Sequence, residues 1–208
     1  MDTARLITVE GTEGAGKSSA LATIRDWVIA HGGVPVVTRE PGGTGLGEEL
    51  RDVLLGHRDA GMSAEAEVLL MFAARAEHLQ TVIAPALQAG QWVICDRFTD
   101  ASLAYQGGGR GLGIERVRAL ADWLLGDLQP GLTLWLDLPV ATGLARAAGR
   151  SAPDRFESER ERFFEAVRAA YAELARADPA RIVRVDATAP LARVGTAIET
   201  ILDERYDG

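Results

Sequence analysis

The sequence predicts a single α/β domain, residues 1–208, built as a three-layer, doubly wound, five-stranded parallel sheet flanked by helices. Three observations carry that expectation. Short runs rich in Val, Ile and Leu alternate with segments of helical period along the whole chain. Those runs lack apolar/polar alternation, as expected when helices cover both faces of a parallel sheet. No repeat, low-complexity tract or linker interrupts the strand–helix order, and such an order builds this architecture.

Taken in turn, Leu6–Val9 is the first strand, and a helix over Lys17–His31 follows, stopped by Gly32-Gly33. The second strand, Val34–Thr38, leads into a helix at Leu46–Leu55, and a long helix spans Ala64–Gln88 until Gly90 ends it. Trp92–Cys95 is the third strand, followed by a glycine run, Gly107–Gly109, read as mobile, and a helix at Ile114–Leu125. The fourth strand is Thr133–Leu136, with helices at Ala141–Ala148 and Glu157–Ala177 around a Gly- and Pro-containing flap at about 146–156. The fifth strand, Ile182–Val185, precedes a last helix over Leu191–Glu204 that Pro190 begins.

Bulk composition narrows the function classes. The chain has 208 residues, 47% apolar and 25% charged, with a net charge of −8. That balance is globular, and it argues against a nucleic-acid binder with a broad basic face. One cysteine, Cys95, excludes an internal disulfide or a cysteine-rich metal site, and its apolar neighbours mark a buried, inert thiol. No run is apolar enough for a signal peptide or a bilayer span, so a cytoplasmic protein without membrane contact is expected. Asparagine is absent and Lys17 is the only lysine. A lysine kept where arginine is the default marks a position needing a compact ammonium.

That lysine sits in Gly11-Thr12-Glu13-Gly14-Ala15-Gly16-Lys17-Ser18, which fits G-x-x-x-x-G-K-[ST] after a strand and before a helix. Its glycines let backbone N–H groups turn toward phosphate oxygens, and the helix start adds its positive dipole end. Lys17 is placed to reach the β- and γ-phosphates of a nucleotide and Ser18 to ligate Mg²⁺. A GTPase normally carries an Asn-Lys-x-Asp guanine reader, which a chain without asparagine cannot have. A motor or partitioning ATPase needs more chain and switch segments, so a small metabolite kinase fits better.

Other segments supply acceptor-side chemistry. Asp96-Arg97 ends the third strand, where Asp96 can orient the Mg²⁺ shell and Arg97 can clamp a second phosphate. "TREPGG" places Arg39 at another strand end, beside a Glu40-Pro41 bond able to be cis. Phe72 and Arg75 share a helical face and can hold a flat base by stacking and hydrogen bonding. Ser102, Tyr105 and Gln106 precede the glycine run, and Gln106 has the paired donor and acceptor that read a pyrimidine edge. His31, His57 and His78 lack ligand-like spacing and read as surface or helix-end residues.

Together "EGTEGAGKS", "TREPGGT", "LLMFAARAEHL", "DRFTDASLAYQGGGRG", "LTLWLDLP", "DRFE" and "DATAPL" resemble the bacterial thymidylate kinases over nearly the whole chain. The resemblance implies transfer of the γ-phosphoryl group of ATP to dTMP, giving dTDP, with Mg²⁺, in a cytoplasmic homodimer. It implies that the loop 11–18 with Ser19 and Arg146 binds ATP, and that Arg39 and Arg97 hold the acceptor phosphate. Arg75, Ser102 and Gln106 correspond to the thymine readers, with Pro41 beside them and an aromatic on the ring. Many relatives carry that aromatic where Met71 stands here, so Met71 or Phe72 covers the base. Tyr105 corresponds to the tyrosine under the deoxyribose, Glu13 to an acidic residue at the sugar 3′-hydroxyl, and Glu10, Ser18 and Asp96 fall near Mg²⁺. With Gly14 after Glu13, the arginine over the transferring group is expected from the flap, where Arg150 matches best and Arg155 anchors. Another nucleoside-monophosphate or deoxynucleoside kinase, or a non-catalytic nucleotide switch, is the alternative reading.

Overall fold

The computed structural model describes residues 2–56, 61–148 and 155–206, without the side chains of 148 and 155–159. Its strands, β1 (Leu6–Glu10), β2 (Pro35–Arg39), β3 (Trp92–Asp96), β4 (Leu132–Asp137) and β5 (Ile182–Asp186), form one sheet in the order β2-β3-β1-β4-β5. All pairs are parallel. Each strand runs one residue further at its carboxyl end than the apolar pattern predicts, because Glu10, Arg39, Asp96, Asp137 and Asp186 are polar residues still held in register. Val9 pairs with Asp96, and Arg39 pairs with the same residue from the other side. The register therefore gathers charged side chains at one edge of the sheet, where ligands collect in open α/β folds.

Helices α1 (Lys17–Ala30) and α9 (Leu191–Tyr206) cover one face, burying Ile24, Val28, Ile198 and Leu202 against Ile7, Ile94 and Leu134. The other face carries α3 (Ala64–His78), α6 (Ile114–Leu125) and α8 (Arg155–Ala177) around Phe72, Phe98, Val117, Tyr171 and Trp135. Helix α2 (Gly45–Leu55) starts at Thr44, whose hydroxyl accepts from Gly47 N at 2.8 Å, and α3 starts at Ser63, whose hydroxyl accepts from Ala66 N. Each such cap contributes about 1 kcal/mol. Among the described residues no helix is long and apolar enough to cross a membrane.

Two expectations need correction. The segment 64–88 is not one regular helix: α3 passes through a π-helical turn, Leu79–Ile83, before α4 (Ala84–Gln88). Pro85 sits in the first turn of α4, lacks an N–H and would crowd the carbonyl four residues earlier, so the helix widens there. The glycine run is not a mobile loop either. Following α5 (Thr99–Ser102), residues Leu103–Gly109 form a second π-helical segment packed under α8. A Cβ on Gly108 would lie 2.7 Å from Ala170 Cβ, and one on Gly109 would lie 2.6 Å from the Phe163 ring. These glycines permit two helices to touch; they do not confer looseness.

The short helix α7 (Val140–Ala148) takes in the first residues of the expected flap, Arg146 among them. Arg150 lies outside the described residues, as does the Arg155 side chain. Cys95 is fully buried in β3, its thiol donates to Arg97 O at 3.0 Å, and burial pushes it well above the ordinary thiol range.

Helix α8 is clamped to the sheet through Asp137, whose carboxylate is 3% exposed and accepts from Arg168 Nε at 2.7 Å and Arg184 Nη2 at 2.6 Å. Burial alone would raise its carboxyl, but the two guanidinium hydrogen bonds prevail and hold it below the ordinary 3.8. Because the folded-state value is depressed, the stabilisation is present above the unfolded value and disappears as pH falls through the folded one. Asp137→Asn should cost about 2–3 kcal/mol in urea unfolding at pH 7 and remove that acid-dependent part. Equal stability of the two proteins at neutral pH would refute the clamp.

Candidate active site

The loop 11–18 leaves β1 at the centre of the sheet and enters α1 through Gly16, which adopts φ 88° as the residue before the first helical turn. Gly14 lies at φ 74°, and a Cβ there would come within 2.2 Å of Gly143 O in α7. No side chain fits at this position while α7 stays in place. The Lys17 ammonium is pushed down to about 8 by burial and by the neighbouring Arg97, against the pull of Asp96, Glu10 and Glu13. It remains predominantly charged at neutral pH.

Beneath the loop, Glu10 is fully buried. One of its oxygens accepts from Phe98 N at 2.8 Å and the other from Tyr171 OH at 2.7 Å. Burial, with Asp100 nearby, raises its carboxyl to about 7 despite Arg97 and these two donors. Beside it Arg97 takes φ 69°, a left-handed conformation rare for a bulky residue, with its N–H held by Val9 O at 3.0 Å. Its guanidinium lies over the Tyr105 ring at 4.6 Å. An observed strained residue of this kind marks a functional position more often than a purely structural one.

A second layer positions Arg75, which is fully buried on α3. Its Nε donates to Glu40 Oε2 at 2.7 Å and its Nη2 to Phe98 O at 2.9 Å and Ser102 Oγ at 3.0 Å. Glu40 precedes the cis bond to Pro41 and also meets His78 Nδ1 at 3.0 Å. His78 is thus no surface residue: it is fully buried, and its Nε2 lies 2.7 Å from Thr38 Oγ1. Glu40 and Thr38 provide the partners that make an interior imidazole affordable.

A cavity of about 450 Å³ opens between these layers. Of the expected residues, Glu13, Pro41, Arg97, Tyr105 and Gln106 line it, and Met71 lines it where Phe72 does not. Phe72 is 6% exposed and packs in the core, its ring under the Arg75 guanidinium at 4.6 Å. Arg75 and Ser102 sit behind the lining, and Arg39 lies outside it at the end of β2, paired with Glu48 at 2.8 Å. Five buried polar atoms lack a hydrogen-bond partner among the described residues: Arg75 Nη1, Asp96 Oδ1, Arg97 Nη1, Thr99 Oγ1 and Gln106 Oε1. Two of these residues, Arg97 and Gln106, line the 450 Å³ cavity, and because buried polar groups are normally satisfied, unpartnered atoms in its wall suit a polar ligand.

A shallower cleft of about 400 Å³ lies across the loop, lined by Gly14, Gly16, Arg146, Thr188, Pro190 and Leu191. Arg146 donates to Ala187 O at 2.9 Å from within it. The largest described cavity, about 820 Å³ between α8 and β5, contains none of the loop residues. Size and chemistry disagree here, and the phosphate-binding geometry decides for the two smaller spaces.

Sequence reasoning missed Arg51, Glu67, Arg110 and Phe163 in the wall of the 450 Å³ cavity, and Arg160, which pairs with Glu13. Glu67 alone left a trace: with Met71 and Arg75 it forms a ridge at intervals of four on α3. The others are brought in by α2, α8 and the second π-helical segment from far along the chain.

A glycine loop with one lysine at a helix start, standing between two clefts, defines a P-loop protein of the nucleoside-monophosphate-kinase architecture. The chain belongs to the thymidylate kinase family, whose model, described as Thymidylate kinase, matches residues 9–198. It is 61% identical over 203 residues to the thymidylate kinase of Alkalilimnicola ehrlichii, covering 97% of this chain and 94% of that protein. The thymidylate kinase of Teredinibacter turnerae is 53% identical, covering 97% and 98%, and that of Pseudomonas fluorescens 54%, covering 96% and 95%.

The buried Glu40–Arg75 pair yields a direct test. Glu40→Gln keeps the shape but leaves a buried guanidinium without its counter-charge, which should cost about 3–5 kcal/mol in urea unfolding. A loss below about 1 kcal/mol would show that the pair does not hold this wall.

Proposed function

We propose that the chain transfers the γ-phosphoryl group of ATP to the phosphate of dTMP, giving dTDP. The observation that carries this reading is the arrangement of two clefts on either side of one phosphate loop, the acceptor-side cavity being lined by Arg97 and Gln106, each with a buried polar atom that has no partner among the described residues. The donor's base occupies the cleft at Arg146 and Thr188–Leu191, and its phosphates lie in the N–H groups of Gly11–Ser19. Lys17 meets the β- and γ-phosphates with a compact charge.

On the acceptor side Arg97 has a buried Nη1 without a partner among the described residues, which suits a phosphate oxygen. Arg39 reaches the same phosphate only by exchanging Glu48 for it, a change that an exposed pair permits. Met71 covers the base, Tyr105 lies against the sugar, and Arg75 with Ser102 and Gln106 reads the pyrimidine edge. Glu13, half-exposed and paired with Arg160, lines the same cavity and is available to a sugar hydroxyl.

The donor set fits Mg²⁺. Asp96 has a buried carboxylate oxygen without a partner among the described residues, and Ser18 offers an exposed hydroxyl at the helix start. Both are hard oxygen donors, suited to a cation held chiefly by nucleotide phosphates and water. Bound there, it supplies charge neutralisation at the β- and γ-phosphates. Glu10 contributes from behind, since its two oxygens are already engaged by Phe98 and Tyr171.

No general base is required of this chain. The second phosphate pKa of a nucleoside monophosphate is about 6, so the attacking oxygen is already anionic at neutral pH. The residues act by alignment and charge stabilisation through a loose transition state. With Gly14 closed to any side chain, the arginine over the transferring group comes from the flap, and Arg150 is assigned that role.

An ADP-release assay across dTMP, dUMP, dCMP, UMP, AMP and GMP should show strong preference for dTMP. Turnover of AMP or GMP without dTMP would overturn the assignment, and no turnover at all would point to a nucleotide switch. In the same assay Arg150→Ala should lower kcat by about 10²-fold or more with little change in dTMP affinity. An unaltered kcat would remove Arg150 from catalysis.

A further inference from the structure

Gln106 is 4% exposed, and its side-chain amide divides two environments. Its Nε2 donates to Glu67 Oε1 at 2.8 Å. Its Oε1 is buried and has no hydrogen-bond partner among the described residues, while the side chain lines the 450 Å³ cavity. Which end of a glutamine faces a site is ordinarily open to rotation, because the two ends have nearly the same shape. Here it is not. Glu67 is a carboxylate that already receives Arg110, with Nε at 3.0 Å and Nη2 at 2.9 Å from Oε2. An ionised carboxylate only accepts, so it can face the NH₂ end of Gln106 and never the carbonyl end.

We propose that Glu67 is the positioning residue that selects the pyrimidine, by locking Gln106 so that a carbonyl oxygen alone faces the base. This rests on the reading that the cavity takes the base of dTMP. A carbonyl at that point accepts from a ring N–H. Thymine and uracil carry a proton on N3, whereas cytosine presents a lone pair there and is repelled. The acceptor at this point is thereby set by an acidic and a basic neighbour, Glu67 and Arg110, in the cavity wall itself. Arg110 holds Glu67 in place and is itself supported by the Phe163 ring at 4.9 Å.

The substitution Glu67→Gln inverts this logic without changing shape. Arg110 keeps the carbonyl end of the new residue, its NH₂ end turns to Gln106, and Gln106 must then present its own NH₂ to the base. Measured as kcat/KM on dTMP, dUMP and dCMP, the preference for dTMP over dCMP should fall by about tenfold or more. The ratio of dTMP to dUMP should stay as in the parent, since both carry the N3 proton. Damage that merely loosened the fold would lower all three alike, and that result overturns the proposal, as does an unchanged dTMP/dCMP ratio. Glu67→Met offers neither donor nor acceptor and keeps the helix. It should bring dTMP and dCMP closer without inverting them, and a parental ratio in this variant likewise refutes the lock. If the parent enzyme itself prefers dCMP or uses neither pyrimidine, the dTMP reading fails and the lock with it. If the parent prefers dTMP and both variants retain its ratio, the lock alone fails.

Discussion

The site depends on one carboxylate removed from water. Glu10 ends the central strand, and its two oxygens tie the backbone after β3, through Phe98, to the long helix α8, through Tyr171. Burial and Asp100 work against its charged form and raise it to about 7, while Arg97 and the Tyr171 and Phe98 donors work the other way. Beside that centre Arg97 takes a left-handed backbone conformation that its own preference would not select. The carboxylate organises the catalytic edge without lying on the surface that meets substrates.

Much of the fold was legible because it rests on local, periodic features. The five apolar runs, the glycine stops at Gly32-Gly33 and Gly90 and the loop before α1 all speak within a few residues of themselves. The π-helical turn at Leu79–Ile83 did not, because it answers to Pro85 within a helix whose apolar period is unbroken. Gly108 and Gly109 misled for a different reason: glycine permits both looseness and close approach, and only α8, more than fifty residues later, decides between them. His78 misled likewise, since its partners Glu40 and Thr38 lie on another element.

The candidate site was legible in kind more than in arrangement. Pro41, Arg97, Tyr105 and Gln106 come together in one cavity as their residue types suggest. Arg39 does not join them, because Glu48 one turn into α2 holds it outside. Phe72 is drawn into the core beneath Arg75, leaving Met71 toward the open space. A thioether there adapts to a flat ring more readily than a fixed aromatic does. A pairing such as that of Arg39 with Glu48 follows no periodicity, so no local pattern announces it.

The buried thiol of Cys95 has a practical side. It is the chain's only cysteine, sealed within β3 and held far from its reactive thiolate form. Electrophilic dyes should therefore pass over the unaltered protein. A cysteine introduced on either side of the nucleotide clefts would be the sole reactive handle, with no background cysteine to delete first. The molecule is in that sense already prepared for fluorescence or spin-label measurements at either cleft.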